Sequence, residues 1–142
     1  MFEITQPTST SSTQSRSLVA VKPPKGDSGV IRNQPTVGRY QLAIDISNEG
    51  NDHWVTNVEI ILNSITPVDG APELEFVTKD YSFENIGPGA QKEALFEIKA
   101  ANPENLPQEG DRYSIEGEIN YHQSGEEGQQ TNPLNVDAEY DG

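Results

Sequence analysis

The chain has 142 residues and a mass of 15.6 kDa, enough for one ordinary domain, and its hydrophobic content of 32% predicts a single thin core. It contains no cysteine, so disulfides, thiolate metal sites and cysteine nucleophiles are excluded. The net charge of −14 disfavours binding to nucleic-acid phosphates and to anionic membranes.

Two targeting signals are not visible in the sequence. It has no apolar run of about 18 residues, and its first residues lack the basic start and apolar stretch of a signal peptide. We therefore expect a protein that is made and folded in the cytoplasm. A secreted protein from which the signal peptide had been removed would lack the same signals, so that alternative stays open.

Charge is unevenly distributed along the chain. Residues 1–39 contain five basic and two acidic side chains, a net charge of +3, whereas residues 40–142 carry −17. Such a basic segment can dock on its own acidic body or on a neighbouring copy. High acidity with little lysine is also typical of proteins from concentrated salt.

The N-terminal residues 1–17 are dominated by Ser, Thr, Gln and Pro, and Phe2 and Ile4 are their only large apolar side chains. This composition predicts an extended arm, followed by one domain over residues 18–142. Residues that could contact a partner are Phe2, Ile4, Arg16, Lys22 and Lys25.

The first predicted strands are short. Residues 17–21 (SLVAV) indicate an edge strand, and the prolines of residues 22–26 indicate a turn. Residues 29–32 indicate a second short strand, which ends before Pro35.

The clearest strand covers residues 37–47, where apolar residues alternate with polar ones. A turn at residues 48–52 leads into a second alternating run over residues 54–62. The short connection predicts that these two strands form a hairpin-like pair.

Residues 74–77 and 81–83 indicate two further strands after the turn at residues 67–72. Residues 91–101 are rich in helix formers, but the alternation around Phe96 and the Gly87-Pro88-Gly89 reversal favour a strand. The prolines of residues 102–110 require a loop.

The last two strands, over residues 112–123 and 131–140, alternate clearly and predict a terminal hairpin. Seven or eight short strands separated by turns are typical of a sandwich. The predicted fold is therefore all-β, an immunoglobulin-like antiparallel β-sandwich with an extended N-terminal arm.

Residues 40–121 resemble the prokaryotic cell-adhesion-related immunoglobulin-like modules of archaeal and bacterial surface and virion structural proteins. The resemblance lies in ISNEGN at residues 46–51, VTNVEI at 55–60, IGPGA at 86–90 and GDRYSI at 110–115. It covers a little over half of the chain and implies a fold and a building-block role, without catalytic residues.

The sequence contains little that indicates catalysis. His53 and His122 are the only histidines, and neither belongs to a metal-binding or nucleophile motif. We predict that the chain is not an enzyme and needs no cofactor. Four oxygen-bearing residues in one turn are weak candidates for a structural cation: Asn48, Glu49, Asn51 and Asp52.

Three functions fit these observations. The first is a virion component such as a capsid-decorating or capsid-stabilising protein, with a halophilic virus as one source, that forms oligomers through its arm. The second is a cell-surface adhesion or pilus-like module located outside the cell. The third is a carbohydrate-binding sandwich that uses Trp54, Tyr81 or the turn at residues 48–52.

Overall fold

A computed structural model describes residues 23–50, 53–123 and 128–142 of the chain. These ranges contain eight strands and no helix, so no helix there has the length and apolar character needed to cross a bilayer. In chain order the strands are β1 (Lys25–Asn33), β2 (Arg39–Ser47), β3 (Val55–Pro67), β4 (Leu74–Phe76), β5 (Asp80–Ile86), β6 (Gln91–Ala100), β7 (Arg112–Gln123) and β8 (Gln130–Tyr140).

The strands form one continuous sheet with the order β4-β6-β2-β1-β8-β7-β3-β5. The sheet is rolled, so that β4-β6-β2-β1 packs against β8-β7-β3-β5 over a shared core. Apart from the parallel pair of β1 with β8, neighbouring strands are antiparallel. This arrangement matches the two layers of an immunoglobulin-like sandwich, which confirms the predicted fold class.

The core forms from one face of each long strand, because alternate residues point to the same side of a sheet. In β2 the four buried alternating side chains are those of Tyr40, Leu42, Ile44 and Ile46. They face buried residues of the other layer, and Tyr40 contacts Tyr140 edge-on with 5.5 Å between ring centroids. The predicted alternation in β2, β3, β6, β7 and β8 is confirmed, including strand rather than helix for β6.

Strand β1 connects the two layers. It pairs with β2 over its whole length and with β8 at residues 29–31. A Cβ atom on Gly29 would lie 3.0 Å from that of Ala138, so glycine permits the close approach of the strands.

Two predictions were wrong. Strand β3 does not pair with β2, because β3 pairs with β5 and β7 while β2 pairs with β1 and β6. Both strands bury an apolar face in the shared core, β2 from one layer and β3 from the other. The turn predicted over residues 22–26 also ends earlier, since β1 begins at Lys25 directly after Pro23 and Pro24. The strand predicted at residues 17–21 lies outside the described residues.

Gly117 is required by the close contact of β7 with β3. It pairs with Leu62 beside a register shift, and a Cβ atom there would overlap the Ile61 carbonyl oxygen and crowd the backbone of Leu62. We expect Gly117→Ala to lower the free energy of unfolding by about 2–3 kcal/mol, since backbone atoms must move. Urea denaturation measures this effect. Glu116→Ala, at the exposed neighbouring position, should change the value by less than about 0.5 kcal/mol, and equal effects of the two substitutions would contradict the explanation.

Tyr113 makes the fold sensitive to alkaline pH. Its ring is fully buried at the start of β7, and its hydroxyl donates a hydrogen bond of 2.5 Å to the Pro72 carbonyl. Burial, with a smaller contribution from Asp111, raises the pKa of Tyr113 far above its ordinary value. The folded chain therefore retains this proton to higher pH than the unfolded chain does, and stability falls as pH rises above about 10.

Urea midpoints between pH 8 and pH 11 measure this loss. Tyr113→Phe should be less stable at pH 8 by about 1 kcal/mol, because one hydrogen bond is missing, yet should lose less stability on going to pH 11. Burial also raises the pKa values of Tyr40 and Tyr121, so part of the alkaline loss remains in this variant. Parallel pH curves for the two proteins would show that Tyr113 does not contribute.

Candidate interaction surface

In the described part of the chain, the outer edges of β4 and β5, which end the sheet, and part of β6 have no strand neighbour. β5 pairs with β3 on one side only. β6 pairs with β2 along its length, whereas on its other side β4 covers only residues 98–100, and Val77 and Thr78 bond to Glu97. Residues 91–96 of β6 therefore face β5 without strand pairing. We call the gap between β5 and residues 91–96 the seam.

Aromatic side chains fill the seam from inside. The ring of Tyr81 lies edge-on to Phe83 and to Phe96, with centroid distances of 5.3 and 6.2 Å. The ammonium group of Lys92 lies 5.9 Å from the centroid of the Phe83 ring. Tyr81 and Phe83 are only partly buried, so apolar ring surface remains accessible at the seam.

Carboxylates predominate around the seam. Asp80 and Glu84 lie exposed on β5, and Glu93 lies exposed on β6. Beside β5 a groove of about 320 Å³ is lined by Asn57, Val58, Glu59, Ser82, Phe83 and Glu84. Within residues 79–86 and 91–96, positive charge comes from Lys79 and Lys92. A free strand edge with accessible rings and acidic flanks has the features needed to bind an extended basic peptide.

A second feature is the buried amide of Asn48, at the end of the sandwich where β2 ends and β6 begins. Its Nδ2 donates to the carbonyls of His53 and Ile86 at 2.8 and 3.0 Å, and its Oδ1 accepts from the Gly50 N–H at 3.1 Å. Its backbone N–H donates to Ala90 at 2.9 Å. Asn48 thus ties the β2–β3 connection to the β5–β6 turn.

The neighbouring Glu49 is paired with Lys25. The Lys25 Nζ atom lies 3.0 Å from the Glu49 carboxylate and 3.6 Å from that of Asp27. The hydrogen bond and charge of Glu49 raise the pKa of Lys25, with a smaller effect from Asp27. All three side chains are substantially exposed, so these ion pairs add little stability.

The structure describes two of the four predicted cation ligands, Asn48 and Glu49. Asn51 and Asp52 lie outside the described residues, the Asn48 oxygen accepts from Gly50, and Glu49 contacts Lys25. Within the described ranges no group of three or more His, Asp or Glu residues is placed to hold a metal ion. Cation binding in this turn stays a prediction.

The residues predicted to contact a partner are only partly described. Lys25 lies in β1, whereas Phe2, Ile4, Arg16 and Lys22 lie outside the described residues. The aromatic residues considered for sugar binding do not share one surface. Trp54 packs against Gly87, which directly follows the last residue of β5. Tyr81 lies near the start of β5, five residues before its end, a distance of about 17 Å along an extended strand.

Neither histidine forms part of a catalytic arrangement in the described ranges. The Nδ1 atom of His53 is buried without a hydrogen-bond partner, and His122 lies in β7, where its carbonyl accepts from Thr56 at 3.5 Å. The seam itself was not predicted from the sequence. Its local signal is the alternation of Tyr81 and Phe83 on a strand where Asp80 and Glu84 flank them.

Sequence comparisons do not assign a family. No family model matches the chain, and no curated protein is similar to it in sequence. The resemblance to the cell-adhesion-related modules is therefore supported at the level of the immunoglobulin-like fold alone.

Several solved structures have a similar chain path. The GAE domain of yeast GGA1 is 10% identical, with a TM-score of 0.42, and the match covers 79% of this chain and 88% of that domain. ACE19, the collagen-binding subdomain of an Enterococcus faecalis surface protein, is 12% identical with a TM-score of 0.33 (81% and 97% covered). The CooA pilin subunit of enterotoxigenic Escherichia coli is 12% identical with a TM-score of 0.27 (80% and 89% covered). Likeness at these values does not assign a function to this chain.

Replacing Asn48 tests whether its amide holds this end of the sandwich together. Asn48→Ala leaves the His53 and Ile86 carbonyls without their donor, so we expect a loss of about 2–3 kcal/mol in unfolding free energy. Hydrogen exchange of the amides of residues 86–90 should also accelerate. The exposed Asn135→Ala on β8 serves as the control, and an Asn48 variant as stable as that control would contradict this role.

Proposed function

We propose that this chain is a non-enzymatic assembly module that binds a protein segment along its open sheet edge. The observation that carries the proposal is the seam, where one edge of β5 has no strand partner among the described residues and lies beside the partly buried rings of Tyr81 and Phe83. Edge strands of this kind accept an added strand unless proline, charge or a covering element prevents it.

The N-terminal arm (residues 1–17), together with the five residues that follow it, is the proposed means of connecting copies. Residues 1–22 carry Arg16 and Lys22 against Glu3, whereas the residues that follow them carry the acidic excess. Phe2 and Ile4 are the apolar side chains that the arm can bury on a neighbour. Lys25 already faces Glu49 of its own chain, so we place the partner contacts upstream of it.

For the biological setting we propose an extracellular, cell-surface subunit of an adhesion or pilus-like structure. The motifs shared with the cell-adhesion-related modules support this role, since β2 ends at Ser47, β3 begins at Val55 and the β5–β6 turn follows Ile86. The capsid-decorating role shares the assembly step, and the charge difference between arm and body supports both. Antibody labelling of intact cells supports the surface role, whereas detection only in purified particles would replace it with the virion role.

Removing the arm and the five residues that follow it tests the assembly proposal. We expect the full chain to form oligomers and a chain lacking residues 1–22 to be monomeric, because the edge then lacks its bound segment. Light scattering in low and high salt measures both masses, and salt should weaken an interaction between opposite charges. A monomeric full chain at every salt concentration would refute assembly through the arm.

A further inference from the structure

We infer that residues 16–22 (RSLVAVK) of a second copy add as a strand to the free edge of β5. This inference rests on the proposed function and names the segment and the surface involved. It places the subunit contact at the seam, away from the end of the sandwich that Asn48 holds together.

The segment matches β5 in length and in pattern. β5 has seven residues, as does the segment, whose five central residues favour extended structure. In an added strand, alternate side chains face inward. Either Leu18 and Ala20 or Val19 and Val21 would then cover the accessible ring surface of Tyr81 and Phe83.

Charge favours the same pairing. Arg16 and Lys22 stand at the two ends of the apolar run, so a basic group lies near each end of the added strand in either direction. On β5 the exposed carboxylates are those of Asp80 and Glu84, and Glu59 borders the adjoining groove. The positive charges of Lys79 and Lys92 weaken this attraction. Carboxylates still outnumber these two lysines, because Glu93 also lies exposed beside the seam.

Connectivity favours a second copy over the chain's own segment. Lys22 is bonded to Pro23, so its Cα atom lies about 3.8 Å from that of Pro23, and Pro24 is held beside β8 by a 2.9 Å bond from Asn132. In the rolled sheet β2 and β6 separate β1 from β5 on one side, and three strands separate them on the other. β1 and β5 belong to different layers, and packed layers lie about 10 Å apart, about twice the ~4.8 Å between paired strands, so pairing of the whole segment with β5 of its own chain would require the chain to cross between layers directly before Pro23.

The absence of cysteine permits a direct test by cross-linking. Ala20→Cys or Val19→Cys, which sample both faces of the segment, is mixed with Ser82→Cys on β5 in the full chain under mild oxidation. A strand added to β5 brings Cα atoms within the 4.4–6.8 Å that a disulfide needs. We expect at least about tenfold more heterodimer for one of these mixtures than for the same segment variants mixed with Asn135→Cys, an exposed control site on β8.

The other outcomes are informative. Equal cross-linking to Ser82→Cys and Asn135→Cys would indicate random collision and overturn the inference. A disulfide that forms only within one chain carrying both Ala20→Cys and Ser82→Cys would indicate docking on its own body. Oligomers without any cross-link to β5 would refute this docking site while leaving assembly intact, whereas a monomeric full chain refutes both proposals.

Truncation supplies an independent measurement. A chain lacking residues 1–15 retains the docking segment and should keep its oligomeric mass, whereas a chain lacking residues 1–22 should be monomeric. If both truncated chains are monomeric, the contacts lie within residues 1–15 and the assignment to residues 16–22 is wrong.

Discussion

The pairing of β1 with both layers is the constraint on which the rest of the structure depends. β1 is antiparallel to β2 and parallel to β8, so the sheet continues from one layer into the other without a break. Each layer can then bury its apolar face against the other. Gly26 and Gly29 matter here, because side chains at these positions would collide with Leu134 or crowd Ala138 of β8.

Strand pairing joins the two layers on the side of β1. On the opposite side, between β5 and β6, other contacts must hold the layers together. There, β5 and β6 are joined by a tight turn at one end and by the contacts of Val77 and Thr78 with Glu97 at the other. Between these ends aromatic rings fill the gap, and they exclude water without satisfying backbone donors and acceptors. The open edge is thus a direct consequence of where the sheet is continuous.

The acidic side chains beside the seam have a different effect from those on the rest of the surface. Carboxylates on a solvated strand face keep a protein soluble, and exposed pairs such as Arg39 with Glu97, 2.9 Å apart, contribute little stability. Beside an unpaired edge, the same charges repel another acidic edge and attract a basic segment. The charge therefore selects which strand can be added, while the backbone supplies the binding groups.

The Asn48 region illustrates how a local motif acquires its role from distant residues. Its sequence, ISNEGN, predicts a polar turn and explains the exposure of Glu49. The amide nevertheless turns inward, where it donates to the carbonyls of His53 and Ile86. An asparagine that looks like a solvated turn residue is therefore a buried structural link.

The sequence alone determined the local elements. Alternation with period two is a property of neighbouring residues, so the long strands, the β6 strand and the terminal hairpin follow from it. It could not determine that β2 and β3 belong to different layers, because a turn specifies a change of direction and not the strand that becomes the neighbour. Only the tertiary structure decided this, since the two layers must pack face to face to bury their apolar sides, and that packing leaves the edge of β5 open beside Tyr81 and Phe83.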